Sequence, residues 1–248
     1  MISIIICSIN PVSFTRVCAC YRDVLGAEPH EIIGIHDARG LCEAYNRGLA
    51  HSRGEIVIFS HDDIEIWTPE LVPRLKRHLA RFEAVGVAGT TKLVSPGWHA
   101  VGPPFTFGQI THPVKKEFSV SFYGGQGHAA IGGIQAFDGV FQAWRRETIM
   151  RIGWDQQHFT GFHCYDIDCT YRAYKAGCKL GVALDLPMFH NSGGNFDEVW
   201  KIHAQIFLQR HGATLETTTR LGIQPAAAQV ATRQDALALM IAYAQPPA

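Results

Sequence analysis

The chain has 248 residues, 47% hydrophobic and 18% charged, enough for one large domain or two small ones with a sizeable core. Its 22 basic residues balance 22 acidic ones, which excludes a general electrostatic grip on nucleic acid or on an anionic membrane. No apolar run approaches the ~20 residues that span a bilayer. Seven cysteines without a C-x-x-C pair point to reduced thiols in a cytoplasmic protein.

The opening "MISIIICSIN" lacks a basic leader and a small-residue cleavage site, so it is expected to be a strand rather than a signal peptide. Ile2 to Ile9 is nearly continuous in β-branched residues, the pattern of a parallel strand covered on both faces. Glu31–Asp37 forms a second strand ending on a polar residue, and "GLCEAYNRGLAHS" follows at helical spacing. "EIVIFS" supplies a third strand. The helix of "TPELVPRLKRHLARF" is expected to start with Thr68 at the N-cap and Pro69 at N1. "VGVAGTTKLV" is a fourth strand. Strands alternating with helices predict an α/β fold with a mostly parallel central sheet and helices on both faces.

In such sheets ligands gather at the carboxyl ends of the strands. Asp37 and the pair Asp62-Asp63 stand at those ends, the latter directly behind Ile56-Val57-Ile58-Phe59-Ser60. Adjacent carboxylates repel, so a cation or a set of hydrogen-bond donors is expected opposite them. From 95 to 133 the periodicity fails, and scattered glycines, prolines and aromatics predict an irregular substrate flap, with Gly124–Gly127 as a mobile acceptor loop. Order is expected again in a strand at Gly139–Trp144, a short helix from Glu147, a helix from Asp166 to Ala176 and a strand at Leu180–Leu184. His190 sits in a turn. The domain is expected to span 1–212, leaving an Ala-rich tail, 213–248, whose "DALALMIAYA" reads as a helix. That tail packs on the domain, pairs with another copy or meets a partner, and the pattern does not choose.

The strand ending in Asp-Asp, then "DGVFQAWRRETIMRIGWD", "FHCYDIDCTYRAYKAG" and a later His resembles the family 2-like glycosyltransferases with the GT-A fold. The likeness covers roughly residues 1 to 210 and is greatest to the subgroup with an H-x-D acidic motif and an F-H-x-Y-D-x-D segment. It implies a nucleotide-sugar donor, a hydroxyl acceptor on a glycan or related molecule, and a Mn²⁺ or Mg²⁺ ion. Carried over, Asp63 and His190 are metal ligands, and Asp62 touches the ribose, the metal or its water shell. Asp37 reads the nucleobase, Asn46 joins the donor-binding set and Asp166 is the catalytic base. Two positions depart from the family's spelling: His61 takes the first place of the D-x-D motif, leaving the ligand choice within His61-Asp62-Asp63 open, and Tyr165 replaces the Glu of the E-D pair.

The chemistry wants these residue types. A diphosphate leaving group gains negative charge, which a divalent ion on hard oxygen ligands stabilises, and one imidazole tilts the choice towards Mn²⁺. An inverting transfer also needs a base for the acceptor hydroxyl. Asp166 at a helix N-terminus suits that role and is expected to stay ionised at neutral pH; a retaining enzyme would not need it. Bland alternatives exist: Asp62-Asp63 as a turn pair, Asp166 as an N-cap, Asp168 as a first-turn acid. Zinc at His163–Cys169 is disfavoured by cysteine spacing. Two rival functions are a nucleotidyltransferase, although "CSINPVSFTR" lacks the expected glycine-rich loop, and a catalytically silent nucleotide- or sugar-binding module.

Overall fold

The computed structural model describes residues 1–194, 196–218 and 225–246. The first half runs β1 (Ile2–Cys7), α1 (Pro11–Leu25), β2 (His30–Ile35), α2 (Leu41–His51), β3 (Ile56–Ser60), β4 (Ile64–Ile66), α3 (Leu71–Leu79), β5 (Ala84–Gly86) and β6 (Ala88–Thr90). There follow β7 (Thr106–Val114), β8 (Glu117–Gly124), β9 (Ala130–Gly132), β10 (Ala136–Phe137), β11 (Phe141–Arg145), α4 (Arg146–Ile152), α5 (Tyr165–Lys175), β12 (Leu180–Ala183), β13 (Met188–His190), α6 (Glu198–His211), β14 (Ala226–Val230) and α7 (Arg233–Ala244).

The central sheet has the order β2-β1-β3-β11-β5-β12-β9. β1 pairs in parallel with β2 and β3, whereas β11 runs antiparallel between β3 and β5. Strand periodicity sends alternate residues of β1 to opposite layers. Ile2, Ile4 and Ile6 pack with Val17 and Tyr21 of α1 and Leu71 and Leu75 of α3. Ile5 faces the other way, among Leu41, Ala44 and Tyr45 of α2 and Ile167 of α5. Helices therefore cover both faces, as the apolar run of β1 predicts.

Helix α1 was not announced by the apolar pattern, yet its start is written locally. Asn10 accepts hydrogen bonds from the backbone N–H of Val12 and Ser13, and Pro11 occupies the first turn. Thr68 does not cap α3: its hydroxyl accepts the N–H of Glu70 two residues on, closing a short turn, and the helix begins at Leu71. The expected fourth strand splits at Val87 into β5 of the central sheet and β6 of a second sheet.

That second sheet has the order β10-β6-β7-β13-β4, with β8 on β7 and β14 on β8. The stretch from 95 to 133, expected to be irregular, is built around a long antiparallel hairpin of β7 and β8. A bulge between Gly108 and Gln109 breaks its alternation, which hides a strand from a period-two reading. The tail is part of this sheet system. β14 pairs with β8, and Met240 of α7 packs with Trp67, Val120 and Phe189. No helix among the described residues is long and apolar enough to cross a membrane.

Candidate active site

β3 carries the chain to the rim and releases it into His61-Asp62-Asp63, where the N–H of His61 donates to the carbonyl of Val140 (3.1 Å). β4 then pairs antiparallel with β13, placing His190 opposite Ile64, while the N–H of Asn191 donates to the Asp63 carbonyl (2.9 Å). This pairing brings a histidine 127 positions away in the chain onto the acidic motif. His190 Nε2 lies 3.3 Å from Asp63 Oδ1, 3.3 Å from His61 Nδ1 and 3.0 Å from the Ser192 hydroxyl. One ligand atom from each of His61, Asp63 and His190 falls within 4.8 Å of the other two.

The Asp63 carboxyl and the His61 imidazole both shift towards their unprotonated forms. Burial pushes the Asp63 carboxyl up, but the hydrogen bond from His190, the charges of His190 and His61 and the Ser192 hydroxyl outweigh it and hold it at about 2. Burial, then His190, lowers the His61 imidazole against the opposing pull of nearby carboxylates. A carboxylate and two imidazoles converging at one point form a donor set that a divalent transition ion fits.

Asp62 points elsewhere. Its Oδ2 accepts a hydrogen bond from Ser8 at the end of β1 (2.5 Å). Asp37 lies on the same rim with a side chain 75% exposed, paired to Arg47 at 2.8 Å. Burial and then the charge of Asp62 push the Cys7 thiol up to about 11, with Glu43, Arg47 and Asp37 acting on it too, so these groups ring the end of β1. The Asn46 side chain is engaged within the fold. Its amide donates to the Trp154 carbonyl and to Gln156, and its oxygen accepts the Trp154 N–H, which ties α2 to the turn after α4.

On the other side of the triad opens a cavity of about 500 Å³, lined by His61, His190, Asp138, Asp166, Trp98, Tyr123 and Trp200 among others. Asp166 stands in the first turn of α5, and its Oδ2 accepts the N–H of Gly139 (2.8 Å). It is not the N-cap. That position belongs to Cys164, whose left-handed φ of 57° turns the chain into the helix at a cost of roughly 1–2 kcal/mol. Nor does the helix N-terminus keep Asp166 strongly acidic: burial first, then the charge of Asp138, push its carboxyl up to about 7, against the pull of local N–H groups. Asp138 accepts from the Val140 N–H (2.9 Å) and from the Trp98 indole (2.9 Å). From Trp98 an aromatic wall continues through Tyr123 on one side and through His99, Phe196 and Trp200 on the other, with ring centroids 4.8–5.7 Å apart.

The structure thus assembles Asp63 and His190 with His61, sets Asp62 and Asp37 beside the end of β1, and places Asp166 across the cavity. Trp98 was read only among the aromatics expected in the flap, and Asp138 was not picked out as a site residue. The only local signal was an acid beside a glycine ahead of a strand, which is also an ordinary turn.

A profile of a glycosyltransferase-like family matches residues 3–219. The chain belongs to this glycosyltransferase-like family. No curated protein matches it. Among solved structures, this glycosyltransferase-like protein is similar to the mannosyltransferase PcManGT from Pyrobaculum calidifontis, determined with GDP-Man and Mn²⁺ (TM-score 0.53, 13% identity, 86% of this chain and 63% of that one). It is similar to GalNAc-T7 with UDP, GalNAc and Mn²⁺ (TM-score 0.54, 10% identity, 84% and 47%). It also matches S. aureus TarS 1–349 in complex with UDP-GlcNAc (TM-score 0.50, 10% identity, 87% and 68%). The chain spans 63% and 47% of the first two relatives' lengths. At these identities the likeness is one of fold, and the fold is GT-A.

Proposed function

We propose that this protein is a metal-dependent glycosyltransferase that moves a sugar from a nucleotide-sugar donor to a hydroxyl of a glycan or related acceptor, with inversion at the anomeric carbon. The observation that carries the reading is the His61-Asp63-His190 cluster standing between a carboxylate-rimmed strand end and a cavity holding Asp166. Solved proteins of similar fold were determined with nucleotide sugars or nucleotides, two of them with Mn²⁺, which supports a donor and a divalent ion here.

In this reading the nucleoside lies over the end of β1, where Asp62 and Asp37 accept hydrogen bonds from ribose and base. His61, Asp63 and His190 hold the ion. When bound, it neutralises charge on the diphosphate leaving oxygen. The two imidazoles favour Mn²⁺ over Mg²⁺. The transferred sugar and the acceptor share the cavity, whose aromatic wall offers apolar planes to sugar rings. The acceptor oxygen bonds to the anomeric carbon as the bond to the diphosphate oxygen breaks, and the hydroxyl proton passes to Asp166. Burial, then the charge of the neighbouring Asp138, raises the Asp166 carboxyl to about 7, which makes its carboxylate a stronger base than a free one.

The test is release of nucleoside diphosphate from a panel of UDP-, GDP-, CDP- and dTDP-sugars with Mn²⁺ and candidate glycans. Asp166→Asn is expected to lower kcat by about 10²–10⁴-fold while leaving donor binding intact. Undiminished turnover in that variant removes Asp166 as the base and, with it, this inverting mechanism.

A further inference from the structure

His61 and Tyr165, the two departures from the family spelling, touch each other. The Tyr165 hydroxyl lies 2.9 Å from His61 Nε2, while the other ring nitrogen, Nδ1, faces His190 Nε2 at 3.3 Å. An imidazole that binds a metal through one nitrogen needs its proton on the other, and the partner of that N–H sets the tautomer. We propose that Tyr165 is a positioning residue for the metal site, accepting the His61 Nε2–H so that the Nδ1 lone pair points at the place shared with Asp63 and His190. This rests on the metal-binding reading above.

The hydroxyl is held where it must be. Tyr165 is 4% exposed, with the rings of Tyr45 and Trp154 each 5.8 Å away. Gly139 leaves the room it needs: a Cβ there would stand 2.1 Å from the Tyr165 oxygen. Burial among these rings confines Tyr165, and a hydrogen bond from its backbone N–H to the Val140 carbonyl fixes the main chain of His61. The arrangement also joins two functions. Tyr165 and Asp166 are consecutive in α5, so the residue that orients a metal ligand and the candidate base are set by the same helical turn. His61 in place of an Asp and Tyr165 in place of a Glu are thus physically linked in this chain: a histidine ligand needs a support on its second nitrogen that a carboxylate ligand does not.

The experiment is calorimetric titration of the metal-stripped full chain with Mn²⁺, comparing wild type, Tyr165→Phe, His61→Ala and the double variant, with melting in EDTA as the control for folding. Tyr165→Phe keeps the ring packing and is expected to weaken Mn²⁺ binding by about 10–100-fold, with its melting temperature in EDTA near that of wild type. In the His61→Ala background the same change is expected to cost nothing further. Gly139→Ala, which displaces the Tyr165 hydroxyl by steric contact, is expected to weaken Mn²⁺ binding in wild type and not in His61→Ala. Unaltered Mn²⁺ affinity in Tyr165→Phe, or an equal loss with and without His61, overturns the proposal. Those results leave the metal site standing if Asp63→Asn still abolishes binding; a wild type that binds no Mn²⁺ removes the metal reading itself and this proposal with it.

Discussion

Asp166 is the residue on which environment acts most. Because burial and the Asp138 charge raise its carboxyl from 3.8 to about 7, the free enzyme holds it partly protonated at neutral pH. With Asp166 as the proposed base, which must be unprotonated to act, kcat/KM should rise about tenfold per pH unit below about 7 and level off above it. Asp138→Asn removes a neighbouring negative charge and should move that limb to lower pH, read from the pH–rate profile. Stability runs the opposite way. The contribution of a carboxyl raised on folding is complete below 3.8 and is lost as pH climbs through about 7. Asp166→Asn should therefore melt higher than wild type at pH 8 in EDTA and lose that advantage at pH 4. At this scale the acids of the motif were legible, since carboxylates that end an apolar strand stand out. Asp138 was not, because its meaning depends on Asp166, 28 residues later, and on an indole 40 residues earlier. His61 was visible but ambiguous. Only the β4–β13 pairing shows that Asp63 and His190 converge on it while Asp62 turns to Ser8.

Elements place these residues by close packing. Gly48 of α2 lies against β1, where a Cβ would stand 2.3 Å from Cγ2 of the fully buried Ile5. Ala at this site gains about 1 kcal/mol of helix propensity. Forcing α2 away from β1 costs about 1–3 kcal/mol, and Ile5, enclosed on that face, has little room to yield. Gly48→Ala should thus lower the urea midpoint of unfolding; an unchanged or higher midpoint would mean that α2 can lift without cost. The β-α alternation of the first 80 residues was legible from hydrophobic period alone, apart from α1 and the three-residue β4. The hairpin of β7 and β8 was not, because one bulge shifts the phase of β7 and the half-buried faces of β8 leave no clean alternation. Helix α6 went unread for a related reason: Val199, Ile202 and Leu208 are exposed apolar residues that blur its buried stripe of His203, Phe207 and His211.

Across the whole molecule, two sheets meet at the His61-Asp63-His190 cluster. The central sheet contributes His61, at the end of β3, and the rim around β1. The second contributes His190 and the hairpin that walls the cavity, with the C-terminal β14 and α7 bracing that hairpin. The tail, left between three fates by its composition, is thereby given a structural task in this fold. A formal net charge of +0 offers the proposed donor no global attractive field, so the attraction in the proposed function is local, at the proposed ion. The central claim is that His61, Asp63 and His190 bind a divalent ion that holds a nucleoside diphosphate. It is tested most directly by calorimetric titration of UDP, GDP, CDP and dTDP, with and without Mn²⁺, into wild type and Asp63→Asn. One nucleotide binding only with Mn²⁺, and not at all to Asp63→Asn, is the predicted result. Binding that ignores both the metal and Asp63, or no binding under any condition, would contradict it.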